Sequence, residues 1–342
     1  MNIGKLVRAN VKKLKPYSSA RDEFEGEALA FLDANENPYP TNYNRYPDPH
    51  QKQLKKRISE LKRINEEQIF LGNGSDEAID LLFRAFCEPG REEVLIPQPT
   101  YGMYAVSASV NDVAVISVSL TKDFDLDLEA TLSAVTPQTK IIFLCSPNNP
   151  SGNLLARDKI IEVIKRFSGL VVVDEAYIDF TDSPSLVQFV SQHKNLVVLQ
   201  TLSKAWGLAG LRLGICFANA EIISVLNKIK PPYNISSITQ SLALEQLQRV
   251  ETKNEQVKEI LAQRKMMEIH LPESKVVERI YPSDSNFVLV KVQHAKKIYD
   301  HLLNKGIVLR DRSHVILCND CLRITIGTPK ENQLLLAELK KL

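Results

Sequence analysis

The sequence predicts an α/β fold: a large domain with a mostly parallel sheet sandwiched by helices, plus a smaller α+β domain formed by the C-terminal part and the N-terminal arm. Between residues 68 and 220, short apolar runs alternate with segments of helical periodicity. Several of these runs are apolar on both faces, as in strands buried on both sides of a parallel sheet. Beyond residue 241 the pattern changes to long helical segments with a few strands, which indicates a second unit.

The predicted strands of the large domain follow one another at the spacing of βαβ units. They cover residues 69–71, 94–96, 113–118, 141–145, 170–173 and 196–200. The repeat between the last three is close to the ~30 residues that a strand, a helix and the next strand require. Ligands in such sheets bind at the carboxyl ends of the strands, so the residues directly after each strand are the candidates for function.

The rest of the chain is assigned to an arm and a small domain. Residues 1–40 are an N-terminal arm that joins the small domain, residues 41–240 are the large domain that would bind a cofactor, and residues 241–342 are the small domain. Within the small domain we expect one long helix over 241–268, strands over 286–291, 307–309 and 322–326, and a closing helix over 331–342. The basic start of the chain is interpreted as a surface arm rather than a targeting peptide, since it has no long apolar core.

Composition narrows the class of protein. The chain has 342 residues, is 44% hydrophobic and carries a formal net charge of +2, so nothing marks it as a nucleic-acid binder. No apolar run approaches the ~18 residues of a membrane span. Five cysteines are too few for a disulfide scaffold and fit a reducing compartment. We therefore expect a cytoplasmic protein that has neither nucleic acid nor membrane as a partner.

The segment 201–214 is a candidate for catalysis and ligand binding. It holds three of the thirteen glycines and a lysine at the end of a predicted strand. A desolvated lysine such as Lys204 has a lowered amine pKa and can form a Schiff base. Thr201, Ser203 and Arg212 are suitable donors for a phosphate beside it. The alternative interpretation is a structural loop that contains a lysine by chance.

Two further strand ends carry polar residues. Asp174 follows the apolar run 170–173, and a cationic heterocycle is one partner that would offset the cost of burying its carboxylate. Capping of a following helix is the alternative. Asn148 and Asn149 follow strand 141–145 and offer amides to a cofactor oxygen, although turn chemistry explains them about as well.

The stretch from Gly72 to Glu77 predicts a strand, a glycine turn and a helix start, which is the geometry that presents backbone N–H groups to a phosphate. The carboxylates of Asp76 and Glu77 would repel a phosphate unless only their backbone amides face it. The stretch also begins like a dinucleotide fingerprint, but Glu77 stands in place of the third glycine, so a nicotinamide-dependent oxidoreductase is the weaker hypothesis. Tyr101, after strand 94–96, is placed to stack on a flat ring, with core packing as the alternative.

A metal site is not expected. Cys318 and Cys321 with His314 resemble half a zinc site, but four ligands are needed and the sequence holds no second pair at suitable spacing. The default interpretation is a hairpin before strand 322–326.

Together these motifs resemble the pyridoxal-phosphate-dependent aminotransferases of the aspartate aminotransferase fold, nearly from end to end. More narrowly, the chain resembles the histidinol-phosphate aminotransferase family. That narrower resemblance rests on residues 16–21 (PYSSAR), 32–38 (LDANENP), 45–49 (RYPDP), 306–310 (GIVLR) and 321–327 (CLRITIG). A mild departure is Ser151, where the family often has threonine.

The resemblance implies pyridoxal 5'-phosphate as the cofactor and assigns residues to it. Lys204 would hold it covalently and act as general base and acid, while Asp174 would pair with the ring nitrogen. Asn149 and Tyr177 would bond the ring hydroxyl oxygen, and Tyr101 would stack on the ring. The phosphate would be held by the backbone amides of Ser75 and Asp76, by the side chains of Thr201, Ser203 and Arg212, and by Tyr46 from the other subunit.

The resemblance also implies the substrates and the assembly. Arg323 would bind the anionic end of the substrate, with Arg310, Tyr17 and Asn37 nearby. The implied reaction converts histidinol phosphate and 2-oxoglutarate to the imidazole keto phosphate and glutamate in histidine biosynthesis, in a homodimer with shared active sites. An aromatic amino-acid aminotransferase or a phospho-amino-acid decarboxylase on the same fold shares the cofactor residues, so both alternatives stay open.

Overall fold

The structure is a computed structural model that describes residues 2–17 and 28–342, and its larger sheet has seven strands. The order across this sheet is β1-β7-β6-β5-β4-β2-β3. β7 pairs antiparallel with β1 and β6, whereas the other neighbouring strands pair in parallel, which confirms the mostly parallel sheet. The strands are β1 (Ile69–Asn73), β2 (Glu93–Gln98), β3 (Ala114–Ser119), β4 (Thr139–Cys145), β5 (Leu170–Asp174), β6 (Leu196–Thr201) and β7 (Leu213–Ala218).

Helices cover both faces of this sheet. Successive residues of β5 alternate between two apolar clusters: Val171 and Val173 lie in one, and Leu170 and Val172 in the other. This alternation explains why the strand is apolar throughout. The helices of this part of the chain are α1 (Ala9–Lys13), α2 (Lys52–Lys62), α3 (Ser75–Phe86), α4 (Met103–Val110), α5 (Leu128–Ser133), α6 (Arg157–Arg166), α7 (Ala220–Ile229) and α8 (Ser237–Gln246).

The smaller sheet is antiparallel throughout, in the order β10-β11-β9-β8. A cluster of apolar side chains joins it to three helices, as expected for a small α+β unit. Its strands are β8 (Val277–Ile280), β9 (Phe287–Val292), β10 (Arg310–Asp311) and β11 (Cys321–Thr325), and its helices are α9 (Val250–His270), α10 (Ala295–Asn304) and α11 (Pro329–Leu339).

Three local predictions differ from the structure. β7 follows the glycine-rich loop directly and is absent from the strands that the sequence predicts. The single helix predicted over 241–268 is two helices, α8 and α9, interrupted at residues 247–249. The strand predicted over 307–309 is wrong, because the chain pairs with β11 only from Arg310 onward.

The start of the chain packs on the larger sheet. Ile3, Val7 and Val11 are buried in the apolar cluster to which α3 and α7 contribute, and Arg8 forms an ion pair with Glu88 at 3.2 Å. The sequence predicts that residues 1–40 join the small domain, and this assignment stays a prediction beside the contacts of residues 3–11 with the larger sheet. The boundary near residue 240 stays a prediction. No helix in the described ranges has the length and apolarity to cross a bilayer.

Candidate active site

A cavity of 360 Å³ opens where β4, β5 and β6 end, and β10 and β11 of the smaller sheet supply its opposite wall. Its lining brings together most of the residues that the sequence singled out. They are Ser75, Asp76, Tyr101, Asn149, Asp174, Tyr177, Thr201, Ser203, Lys204, Arg212, Arg310 and Arg323.

Asp174 is a buried carboxylate at the last position of β5. Its Oδ2 accepts a hydrogen bond from the Tyr104 hydroxyl at 2.7 Å, and its Oδ1 accepts one from the backbone N–H of Ala176 at 3.0 Å. Burial raises the pKa of Asp174, whereas both hydrogen bonds act in the opposite direction by stabilising the charged form. Asp174 is therefore an acid whose ionisation depends on its partners.

Tyr104 is a site residue that the sequence analysis did not select. Its ring is buried and stacked on Phe143 at 4.9 Å, and this packing aims the hydroxyl at Asp174. The available signal is its position three residues after Tyr101, the spacing that places two side chains on one face of a helix. The two tyrosine rings meet edge to face at 5.5 Å.

Lys204 faces the same cavity as Asp174. Burial lowers the pKa of its amine, and the positive charges of Arg323 and Arg212 act in the same direction. Asp174 opposes this shift. The amine nitrogen lies 5.6 Å from the centre of the Tyr177 ring, which is itself packed against Phe287.

One end of the cavity is the turn between β1 and α3. Gly74 has a φ of +75° there, and its N–H donates to the carbonyl of Arg212 at 2.6 Å. Arg212 itself adopts a left-handed φ of +53°, a strained conformation for a residue with a side chain. Gly214 allows β7 to approach this turn, since a Cβ at that position would lie 2.1 Å from the backbone nitrogen of Ser75.

The two acidic residues at the start of α3 have separate partners. The carboxylate of Glu77 accepts from the backbone N–H of Asn73 and from the side-chain amide of Asn234, at 3.1 Å. The carboxylate of Asp76 stays at the cavity, 3.5 Å from the guanidinium of Arg212. It also accepts from the Tyr101 hydroxyl at 3.2 Å. The carboxylate of Glu77 is thus held by asparagines, while Asp76 is paired with a cation.

The structure separates the two asparagines after β4. The amide of Asn148 donates to the Pro99 carbonyl at 2.9 Å and to the Ser151 hydroxyl at 2.8 Å, so this residue holds the loop. Asn149 lines the cavity, and its Oδ1 accepts from Arg323 at 2.6 Å. Only the second asparagine is therefore available to a ligand.

Three predicted site residues lie outside this cavity. Tyr17 is exposed, and the side chain of Asn37 accepts from the backbone of Tyr39 at 2.9 Å. Tyr46 lines an adjoining cavity of 560 Å³, which shares Arg212 with the first, and stacks on Tyr233 at 4.4 Å. Arg21, at the end of the first family-like motif, lies outside the described residues.

The donor set fits pyridoxal phosphate. A helix N-terminus, two hydroxyls that lie 3.0 Å apart (Thr201 and Ser203) and the guanidinium of Arg212 form an anion site at one end of the cavity. The buried carboxylate of Asp174 matches a protonated ring nitrogen, and Lys204 provides the amine for the aldehyde. The anion site, the carboxylate of Asp174 and the amine of Lys204 therefore line one cavity, as this cofactor requires.

The cysteine pair lies at a hairpin, where the sequence places it. Cys318 is in the connection between β10 and β11, Cys321 is the first residue of β11, and both are free, buried thiols. Across residues 2–17 and 28–342, no group of three or more histidine, cysteine or acidic side chains is placed to hold a metal ion.

Comparisons with known proteins identify the family of the chain. A family model described as aminotransferase class I and II matches residues 29–339. The chain is 58% identical over 337 residues to a histidinol-phosphate aminotransferase of Parabacteroides distasonis, covering 98% of both chains. A protein of the same name from Cytophaga hutchinsonii is 56% identical over 343 residues, 99% of both chains. The structure of the histidinol-phosphate aminotransferase from Clostridium acetobutylicum is similar with a TM-score of 0.81 and 28% identity, covering 88% of this chain and 91% of that one.

Proposed function

The chain belongs to the class I and II aminotransferases, which use pyridoxal phosphate, and from this premise we propose that it transfers the amino group of L-histidinol phosphate to 2-oxoglutarate. The products are 3-(imidazol-4-yl)-2-oxopropyl phosphate and L-glutamate, in histidine biosynthesis. The observation that carries the proposal is the placement of Lys204, Asp174 and several arginines around one cavity.

Residues that line the cavity would hold the cofactor. When bound, the cofactor supplies a ring that accepts the electrons left on the substrate carbon after it loses a proton. Lys204 would hold it covalently and Asp174 would pair with its ring nitrogen. Tyr101 would cover the ring. Asn149 and Tyr177 would bond the hydroxyl oxygen of the ring. The phosphate would be bound by the backbone amides of Ser75 and Asp76 and by the side chains of Thr201, Ser203 and Arg212.

Lys204 is the residue that moves the proton. Its lowered pKa favours the neutral amine, which would accept a proton from the amine-bearing carbon of the substrate and release it at a different atom, because return to the same carbon would only regenerate the starting amine. The charged form of Asp174, which the Tyr104 hydroxyl and the Ala176 N–H stabilise, would hold a positive charge across the cavity from that amine.

Arginines at the other end fit both substrates. Histidinol phosphate carries a phosphate and 2-oxoglutarate carries carboxylates, and a planar guanidinium bonds either group. Arg323, which Asn149 fixes at 2.6 Å, and Arg310 directly across the strand pair would bind this anionic end. One basic surface therefore serves both half-reactions.

We further infer a cytoplasmic homodimer in which Tyr46 reaches the cofactor phosphate of the partner. Support comes from the exposure of Tyr46, which leaves its ring accessible to a second subunit. The segment before Tyr46 also exposes aromatic side chains, Tyr39 and Tyr43, to which a second subunit is a natural partner.

An assay with three amines tests the reaction. Purified holoenzyme is given L-histidinol phosphate, phenylalanine or threonine phosphate, each with 2-oxoglutarate. We expect glutamate to form fastest by far with histidinol phosphate, and borohydride reduction to fix the cofactor on Lys204. Release of carbon dioxide from threonine phosphate would instead identify a decarboxylase, and full turnover by Lys204→Ala would contradict the assigned mechanism.

A further inference from the structure

The smaller sheet presents a third arginine to the cavity. Arg310 on β10 lies directly opposite Arg323 on β11 in the antiparallel register. Side chains alternate along an extended chain, so Arg312 points to the same side as Arg310, and all three line the cavity with Lys204. Asp311, between them, is not part of this lining and accepts from the backbone N–H of Ser313 at 2.8 Å.

The positive charge of Arg310, Arg312 and Arg323, here called the arginine cluster, exceeds the negative charge of the described residues around it. Within the described ranges, none of the three guanidinium groups forms an ion pair with a carboxylate of the chain. The Nε atoms of Arg312 and Arg323 are buried and have no hydrogen-bond partner. Cys318 and Tyr177 are the other titratable groups that face Arg312. Since unpaired buried donors are costly, the cluster is suited to an anionic ligand.

We infer that Arg312 determines specificity by binding the third acceptor oxygen of the substrate phosphate. The inference rests on the proposed function and deepens it. A carboxylate offers two oxygens, which Arg310 and Arg323 can bond, whereas a phosphate monoester offers three acceptor oxygens and approaches two negative charges at pH 7, with a second pKa of about 6. A third guanidinium therefore favours a phosphorylated amine over a neutral or singly charged one.

The test compares histidinol phosphate with histidinol, the same amine without the phosphate. We expect Arg312→Gln holoenzyme to lose about 10- to 100-fold in kcat/KM for histidinol phosphate, mainly through KM, with histidinol changed less than about twofold. The fall in the KM for histidinol phosphate as pH rises through about 6, where the phosphate gains its second charge, should flatten in this variant. Arg312→Lys should restore part of the preference, because it keeps the charge but not the planar fork. Arg279→Gln, an exposed arginine on β8 of the same sheet, is the matched control and should behave like the unaltered enzyme.

A second arm separates this inference from the proposed function. Inorganic phosphate should inhibit the half-reaction with glutamate, and its inhibition constant should rise at least about tenfold in Arg312→Gln. Failure of the unaltered enzyme to use histidinol phosphate would reject the proposed function, while the phosphate arm would still decide the role of Arg312. Equal losses with histidinol and histidinol phosphate, or an unchanged inhibition constant for phosphate, would overturn the inference.

Discussion

At the level of single residues, the hydroxyl of Tyr104 donates a hydrogen bond to Asp174, the acid proposed to bind the cofactor ring. Changing Tyr104 to Phe keeps the ring stacked on Phe143 but removes the 2.7 Å hydrogen bond to Asp174. Asp174 is then ionised less readily, because its pKa, already raised by burial, loses one opposing contact. Losing a hydrogen bond to a charged group costs about 1.5–3 kcal/mol.

We therefore expect Tyr104→Phe to raise the dissociation constant of pyridoxal phosphate by about 10- to 150-fold. Absorbance titration of the apoprotein with the cofactor measures this constant. Tyr299→Phe on α10 is the control, since that ring lies beside Lys296 away from the cavity. Equal cofactor affinity in Tyr104→Phe and the unaltered protein would show that the hydroxyl plays no part.

The pH dependence of kcat follows from the protonation of the Lys204 amine. Only its neutral form accepts a proton, so kcat rises with pH through the pKa of this amine and is lost as pH falls below it. Burial and Arg323 lower that pKa, so the midpoint should lie below the ordinary ~10.4 of lysine. A profile of kcat against pH reports this group in the bound complex, and a midpoint at or above the ordinary value would contradict the assignment.

Single residues also show where sequence reasoning succeeds and where it stops. Asp174 and Thr201 are predictable because each lies at the end of a strand, and Lys204 because it follows a strand closely; strand ends follow from the alternation of apolar and polar segments. Asn148 and Asn149 were not separated, because only the path of the loop decides which amide faces the cavity. The role of Tyr104 depends on packing between α4 and the sheet, which no local pattern encodes.

At the level of elements, the contact between β7 and the β1–α3 turn fixes the proposed phosphate site. The missing Cβ of Gly214 is what allows it, because that atom would overlap backbone atoms of Gly74 and Ser75 that cannot rotate away. Gly214→Ala should destabilise the fold by about 1–3 kcal/mol, in the range of overpacked cores, and weaken cofactor binding. Urea unfolding and cofactor titration measure the two effects.

Gly210→Ala is the matched control in the same loop. Its added Cβ meets nothing within 4 Å, so stability and cofactor affinity should both be retained. If the two glycine variants behave alike, the close approach of β7 is not what holds the turn.

The sequence predicted elements well where burial is two-sided and poorly where pairing is long-range. β4, β5 and β6 were located because both faces of each are apolar. β7 was missed because a strand that returns antiparallel next to β1 is defined by partners far away in the chain. The strand expected at 307–309 is wrong for the same reason, since β-branched residues favour extension but β11 provides the pairing only from Arg310.

At the level of the whole molecule, the proposed dimer makes a prediction about mixed assemblies. If Tyr46 acts on the partner's site, a dimer of one Lys204→Ala subunit and one Tyr46→Ala subunit has one site with both residues intact. Mixing the two weak variants in equal amounts should then restore up to about a quarter of the unaltered activity, because about half of the dimers are mixed and each of these has one of its two sites intact. If Tyr46 acts within its own chain, mixing should restore nothing. Native mass spectrometry of the mixture, which separates mixed from unmixed dimers by mass, confirms that the subunits exchange.

The cavity takes Lys204, Asp174, the phosphate turn and Arg212 from segments at the edge of the larger sheet, and its other three arginines from the smaller sheet and the residue after β10. The residues proposed to hold the cofactor therefore lie in a different part of the molecule from those proposed to hold the substrate. A displacement of the smaller sheet would loosen the substrate arginines and leave the cofactor residues in place. Release of product in each cycle would then not require release of the cofactor.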